Sequence, residues 1–331
     1  MSNVTGFLQK SFQSLTSSII LPLNGISFFL VKAAKANSYV ETLGEHADSL
    51  HEWIKKGYEE DFKRAFEIEV RKAVRQLHVS YAMLAFDTTD EPFYGKTRNL
   101  HVFNTKGEKY DGLFKFISVS LIMRNKQIPL MSLPVMVGEG NAKPAINLLN
   151  YCLTLFKSIR LALFDRGFYI AELIDYLEAK NLHYIIRVPE KDGTIEDFVT
   201  QTTELGKFKH QMKYSKAKSK WKPSTTIVVC KGLDEYPWIF ATNAHFRTRA
   251  EYIWYYTRRW QIETNFRVED ESKIKSKSAK HLIRYFYFLV SQLLRLFWIV
   301  NKNLNYYVPF KKYLDIIEYE LLLNHLDVDR V

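Results

Sequence analysis

The spacing of apolar and polar positions changes period near residue 80. Before that point apolar residues recur at helical intervals. The charged run "HADSLHEWIKKGYEEDFKRAFEIEVRKAVRQL" carries acids early and bases late, the sense that suits a helix dipole. Residues 1–78 are therefore expected to form a separate helical region, with a weak break at "NGIS" and no strand. From Tyr81 the pattern becomes strand-like. "YAMLAFD" is a short apolar run closed by the polar, turn-rich "TTDEPFYGK", and "LFKFISVSLIM" and "IPLMSLPVMV" follow as two more strands. "NAKPAINLLNYCLTLFKSI" then has helical spacing, "RLALFD" reads as a buried strand, "YIAELIDYLEAK" as a helix and "LHYIIRV" as another strand.

Three strands, helix, strand, helix, strand is the order of a ribonuclease H-like α/β core, although other α/β folds share parts of it. Two further strand-like segments, "TTIVVCK" and "YPWIFATN", precede the helical "YYTRRWQIETNFR" and predict a β-rich insertion before that last helix. The expected fold is thus α/β, with residues 79–188 and 244–300 as the core, 189–243 as the insertion, and helical regions at 1–78 and 301–331.

Two apolar stretches raise the question of a membrane. Residues 19–31, "IILPLNGISFFLV", are too short against the roughly 18 residues a span needs, and no basic start or small-residue cleavage site marks a signal peptide. "HLIRYFYFLVSQLLRLFWIV" is long enough, but Arg284 and Arg295 fall on one helical face with Ser291, as in an amphipathic core helix. No membrane association is expected.

Composition adds three limits. A chain of 331 residues that is 47% apolar can bury a large core and has room for about two domains of roughly 150 residues each. Its 47 Lys and Arg against 36 Asp and Glu leave a formal charge of +11, which favours polyanionic partners, nucleic acid or acidic membrane. Cys152 and Cys230 stand far apart, so neither a disulfide framework nor a zinc module is expected, and a reducing, intracellular setting fits best.

The candidate chemistry lies in acids. Asp87 closes "YAMLAFD" and Asp165 closes "LALFD", so each carboxylate is expected where a sheet stops and a cleft begins. Either one alone reads equally as a turn-initiating aspartate. Together they differ, because in a ribonuclease H-like order the first and fourth strands lie side by side. Asp90 is the alternative first carboxylate, and Asp87 is preferred because it directly ends the strand. Tyr256, Arg259 and Glu263, spaced i, i+3, i+7, share one helical face. Three carboxylates converging from two strands and a helix make an oxygen-rich site suited to two Mg²⁺ ions, with basic neighbours for a DNA backbone.

At these residues the sequence resembles a known family. "FDTTDEPFYGK", "LALFDRGFY", "IFATN" and "YTRRWQIETNFR" resemble, in order, the blocks of DDE insertion-sequence transposases, in the group whose last block runs Tyr-x2-Arg-x3-Glu-x6-Lys, and most closely its prokaryotic, archaeal-like branch. The resemblance covers roughly residues 80–300. It implies that Asp87, Asp165 and Glu263 are the metal-binding catalytic triad, and that Tyr256 and Arg259 contact DNA phosphates. It also implies two Mg²⁺ ions, with Mn²⁺ as a substitute, cleavage at transposon ends, and strand transfer of the 3′-hydroxyl into target DNA. Residues 1–78 become a DNA-binding region, and pairing two inverted-repeat ends calls for a homodimer on DNA in a prokaryotic, nucleoid-associated cytoplasm. One departure stands out. The lysine expected seven residues after Glu263 is Asp270 here, and either Lys273 substitutes for it or that end contact is lost. A metal-dependent nuclease of the same fold and a catalytically silent, domesticated DNA-binding protein are the alternatives.

Basic segments surround this set. Lys207, Lys209, Lys213, Lys216, Lys218, Lys220 and Lys222 occur with no acid between them, either as a solvated loop or as a phosphate-binding strip. Trp221 in their midst either stacks on an extruded base or packs on its own domain. "KIKSKSAK" reads in the same two ways, as a backbone contact or a solvated face. "GEGNAKPA" lacks the spacing of a phosphate loop, and the nine histidines show no metal-ligand spacing.

Overall fold

The computed structural model describes residues 23–44, 46–96, 99–105, 109–123, 126–190, 193–212, 222–260, 273–302 and 308–328. Nine strands form one mixed sheet: β1 Tyr81–Phe93, β2 Phe103–Asn104, β3 Gly112–Met123, β4 Lys126–Pro134, β5 Ser158–Phe164, β6 Tyr184–Arg187, β7 Leu205–Gln211, β8 Ser224–Cys230 and β9 Trp238–Thr242. The described helices are α1 Leu23–Ala36, α2 His46–Lys56, α3 Glu59–Gln76, α4 Ala142–Leu155, α5 Ala171–Ala179, α6 Gly193–Gln201, α7 Arg249–Thr257, α8 His281–Lys302 and α9 Phe310–Val328.

The strand order is β2-β3-β1-β5-β6-β9-β8-β7, with β4 also on β3. β1, β3 and β4 are antiparallel, whereas β5 and β6 run parallel to β1 after crossovers through α4 and α5. Such crossovers need a helix between parallel neighbours, which is why apolar strand runs and helical spacing alternate over residues 126–187. Beyond β6 the sheet continues as an antiparallel meander, β9, β8, β7, so the strands of residues 205–242 extend the same sheet.

The central strands divide two cores. Leu84, Phe86, Ala162, Phe164, Tyr184 and Ile186 face one way, against Ala145, Leu148, Leu149 and Cys152 of α4 and Leu173, Ile174 and Leu177 of α5. Their neighbours Ala85, Leu163 and Ile185 face the other way, against Tyr252 and Tyr256 of α7. The period of two thus sends Asp87 and Asp165, next in alternation, to the α7 side. The helices of residues 23–76 join the larger core through α8: Phe62 meets Phe286 edge-on at 5.0 Å, and Lys35 of α1 pairs with Asp315 and Glu318 of α9 at 2.5 and 2.7 Å.

Three local expectations change. "NGIS" is no break but the first turn of α1. β1 does not close at Asp87; it runs to Phe93, paired with β3 throughout. Its pairing with β5 ends at Phe86, so Pro92 lies on an edge where a missing N–H is tolerated. The lysine-rich segment is a strand up to Gln211, because Lys207, Phe208 and Lys209 alternate outward and inward in the β7–β8 hairpin. The helix α8 is a core helix, as expected, and its polar face of Arg284, Ser291 and Arg295 is itself buried. It is the one helix among the described residues long and apolar enough to cross a membrane, and 94% of its most apolar window lies inside the fold.

Candidate active site

Asp87 and Asp165 follow directly after the last paired residues of two adjacent parallel strands, Phe86 and Phe164. Parallel pairing in register therefore sets the two carboxylates side by side where β5 ends. Each fixes one oxygen on its own chain: Asp87 Oδ1 accepts the Thr88 N–H at 2.7 Å, and Asp165 Oδ1 accepts the Arg166 N–H at 2.6 Å, capping the 3₁₀ turn Arg166–Phe168. Asp165 is the more open of the two, its side chain 38% exposed against 15% for Asp87.

One guanidinium joins them. Arg259 Nη1 lies 3.3 Å from Asp87 Oδ2, and Nη2 lies 4.0 Å from Asp165 Oδ1. Arg259 is buried in the 3₁₀ turn Arg258–Trp260 that follows α7. The position of that turn is set at the helix start by a capping box. Thr248 Oγ1 accepts the Glu251 N–H at 3.2 Å, and the Glu251 carboxylate accepts the Thr248 and Arg247 N–H groups at 3.0 and 2.8 Å. Burial pulls the Arg259 guanidinium down, but Tyr256, Asp87 and Asp165 outweigh it and hold the group above its usual value. It is a fixed positive charge in the site.

Tyr256 stands behind it. The phenol is buried, its ring 5.0 Å from Phe240 and 5.9 Å from Trp238, with the Arg259 guanidinium 5.5 Å from its centroid. Burial raises the phenol above its ordinary range, with Arg259 pulling the other way, so it stays protonated at neutral pH. The spacing of Tyr256 and Arg259 thus brings the two together as the sequence implies, with both turned toward the aspartates.

A further cation was missed. Arg187 ends β6 one position beyond the Phe164–Ile186 pair, so Asp87, Asp165 and Arg187 each follow directly after the last parallel pair of three neighbouring strands. Its guanidinium lies 4.6 Å over the Trp238 ring and donates to the Pro237 carbonyl at 3.1 Å, and burial draws it below its usual value. The signal was in the sequence: "LHYIIRV" ends its apolar run in a charge just as "YAMLAFD" and "LALFD" do.

The other expected residues are spread. Lys273 pairs with Glu91 at 3.5 Å, and Lys222 is exposed at the β7–β8 hairpin. Lys207 donates to the Phe246 carbonyl at 3.1 Å and lies over the Tyr252 ring. Glu263, Asp270, Lys218, Lys220 and Trp221 lie outside the described residues. No group of three or more metal-ligating side chains forms among the described residues.

Residues 98–289, more than half of the chain, match the family of the transposase DDE domain, and the chain belongs to that family. It is a DNA transposase, an enzyme of the class that cuts and joins DNA, and such transposases generally use divalent metal ions. Its structure is similar to a chain of the cryo-EM structure of the piggyBac transposase synaptic complex with hairpin DNA. The TM-score is 0.59 at 11% identity, covering 96% of this chain and 77% of that one, which is a likeness of fold. No curated protein matches the sequence.

Proposed function

We propose that Asp87, Asp165 and Glu263 form the catalytic triad of this transposase and hold divalent metal, Mg²⁺ by preference and Mn²⁺ as a substitute. The observation that carries this reading is the position of Asp87 beside Asp165, each directly after the last pair of β1 with β5, bridged by one buried arginine. The donor set fits the metal. Both groups are hard carboxylate oxygens, and a cation already sits between them in the form of Arg259. Bound there, divalent metal would supply Lewis acidity for in-line attack on a phosphodiester.

The chain's own residues do the rest. Asp87 and Asp165 each anchor Oδ1 on a backbone N–H group, which orients the carboxylate. Arg259, held by Tyr256, offsets their mutual repulsion and presents positive charge beside the reacting phosphate. Arg187 extends that charge to β6. The β4-β3-β1-β5-β6 order supports a ribonuclease H-like core, and the Tyr256, Arg259 and Glu263 spacing supports the Tyr-x2-Arg-x3-Glu group. The substrate is terminal-repeat DNA joined to target DNA by the freed 3′-hydroxyl. Two ends call for two copies of the chain, working in a prokaryotic cytoplasm.

The experiment is cleavage of labelled DNA that carries the gene's flanking repeats. Wild type is expected to cut at the repeat boundary only with Mg²⁺ or Mn²⁺, and Glu263→Ala to bind the same DNA without cutting. Cleavage by Glu263→Ala at the wild-type rate would remove Glu263 from the triad.

A further inference from the structure

Glu91 lies four residues beyond Asp87 on β1, and the unbroken β1–β3 register puts both side chains on one face of the strand. It is only 7% exposed, and a carboxylate so buried persists where cations compensate it. Two do. Lys273 Nζ lies 3.5 Å from Glu91 Oε1, and Arg284 Nη1 lies 3.5 Å from Oε2. Arg284 has further partners: its Nε donates to the Ser278 carbonyl at 2.7 Å and its Nη1 to the Pro92 carbonyl at 3.3 Å, with its guanidinium over the Phe93 and Phe114 rings.

The chain after residue 273 is laced down further. Lys275 bridges Tyr39, its carbonyl accepting the Val40 N–H at 2.9 Å, while Ser276 Oγ and the Lys277 N–H donate to Glu41 Oε1 at 2.7 and 2.8 Å. Half of the "KIKSKSAK" segment is thereby committed to the fold. The consequence concerns both flanks of residues 260–272. On one side Arg259 pairs with Asp87; on the other Lys273 pairs with Glu91; both carboxylates belong to β1.

We propose that Glu91 is a positioning residue: by holding Lys273 it anchors the chain that follows residue 272 to β1, the strand bearing Asp87, as Arg259 anchors the chain that precedes residue 261. The proposal rests on the reading of Glu263 as the third carboxylate. Lys273 then serves the geometry of the site rather than a DNA phosphate, and Asp270 replaces the signature lysine without a substitute for the end contact.

The test uses the full chain with Lys273→Met, Lys273→Arg, Glu91→Gln and the double variant Glu91→Gln/Lys273→Met. Two quantities are read: cleavage of the flanking-repeat DNA, and the rise in melting temperature that Mn²⁺ produces without DNA. Lys273→Met leaves Glu91 paired with Arg284 and so keeps the buried carboxylate compensated. It is expected to lower kcat about 10- to 100-fold, the scale for small misplacement of a catalytic group, with KM for DNA unchanged. The Mn²⁺-induced rise is expected to shrink with it. The double variant is expected to be no slower than the slower single variant, since both remove the same tie. Lys273→Arg is expected to recover most of the rate. If Lys273→Met keeps its kcat and Mn²⁺ response while Asp165→Ala loses both, the clamp is wrong and the metal centre stands. A raised KM at constant kcat would assign Lys273 to DNA and equally overturn the proposal. Should Asp165→Ala lose neither, the metal-centre reading falls and the clamp with it.

Discussion

Asp165→Ala and Asp87→Ala are each expected to reduce the rate of repeat-end cleavage by roughly 10³-fold, because a lost metal-ligating oxygen forfeits several kcal/mol of transition-state charge stabilisation. The two sites should differ in what else they lose. Asp87 is the more buried, and its Oδ2 makes the shorter contact with Arg259, so its removal leaves a buried guanidinium with one anion instead of two. Asp165 keeps 38% side-chain exposure, and its loss should be felt mainly in chemistry. Single-turnover cleavage together with thermal unfolding separates these outcomes. DNA binding measured at fixed salt should stay within a few-fold of wild type, since phosphate affinity comes from the basic surface rather than from carboxylates.

Arg259→Met carries the second large effect, and its cost in stability is expected to be smaller with metal than without it. Without metal the substitution sets two adjacent carboxylates against each other with no cation between them. The cost should be about 2 kcal/mol, below the roughly 3–5 of a fully buried pair because Asp165 is partly solvated. Divalent cation should then stabilise the variant more than it stabilises wild type, because it supplies the missing positive charge. Melting curves with and without Mn²⁺ read this directly. The rate should nevertheless fall by about 10²-fold even at saturating Mn²⁺, the scale for losing a preorganised charge beside the reacting group.

Much of this arrangement was legible before any coordinates. The period change at residue 80 located the sheet, and the apolar runs closed by Asp87 and Asp165 located two carboxylates that lie side by side, because the alternation that buries Phe86 and Phe164 also places the residues that follow them. The Tyr256 and Arg259 spacing survives even though α7 gives way to a 3₁₀ turn, since three residues on still brings one side chain over the other. What the sequence hid depends on partners distant along the chain. "TTDEPFYGK" looks like a turn because Pro92 and two acids weaken it as a strand; only β3, some twenty residues later, turns it into one. Glu91 looks like a surface charge until Lys273 and Arg284 arrive beside it from the other end of the chain. Arg284 and Arg295 look like the polar stripe of an amphipathic helix, whereas both are buried in α8. Local pattern reports period and chemistry; compensation between distant charges it does not report.

The most direct measurement is a crystal structure of the full chain soaked in Mn²⁺, with anomalous scattering recorded at the manganese edge. The expected result is an anomalous peak bonded to oxygens of both Asp87 and Asp165, with Arg259 drawn back toward Tyr256. A site with no peak, in crystals of protein shown to cut repeat DNA with Mn²⁺, and with Arg259 still lying between the two aspartates, would contradict the assignment of these carboxylates as the metal centre.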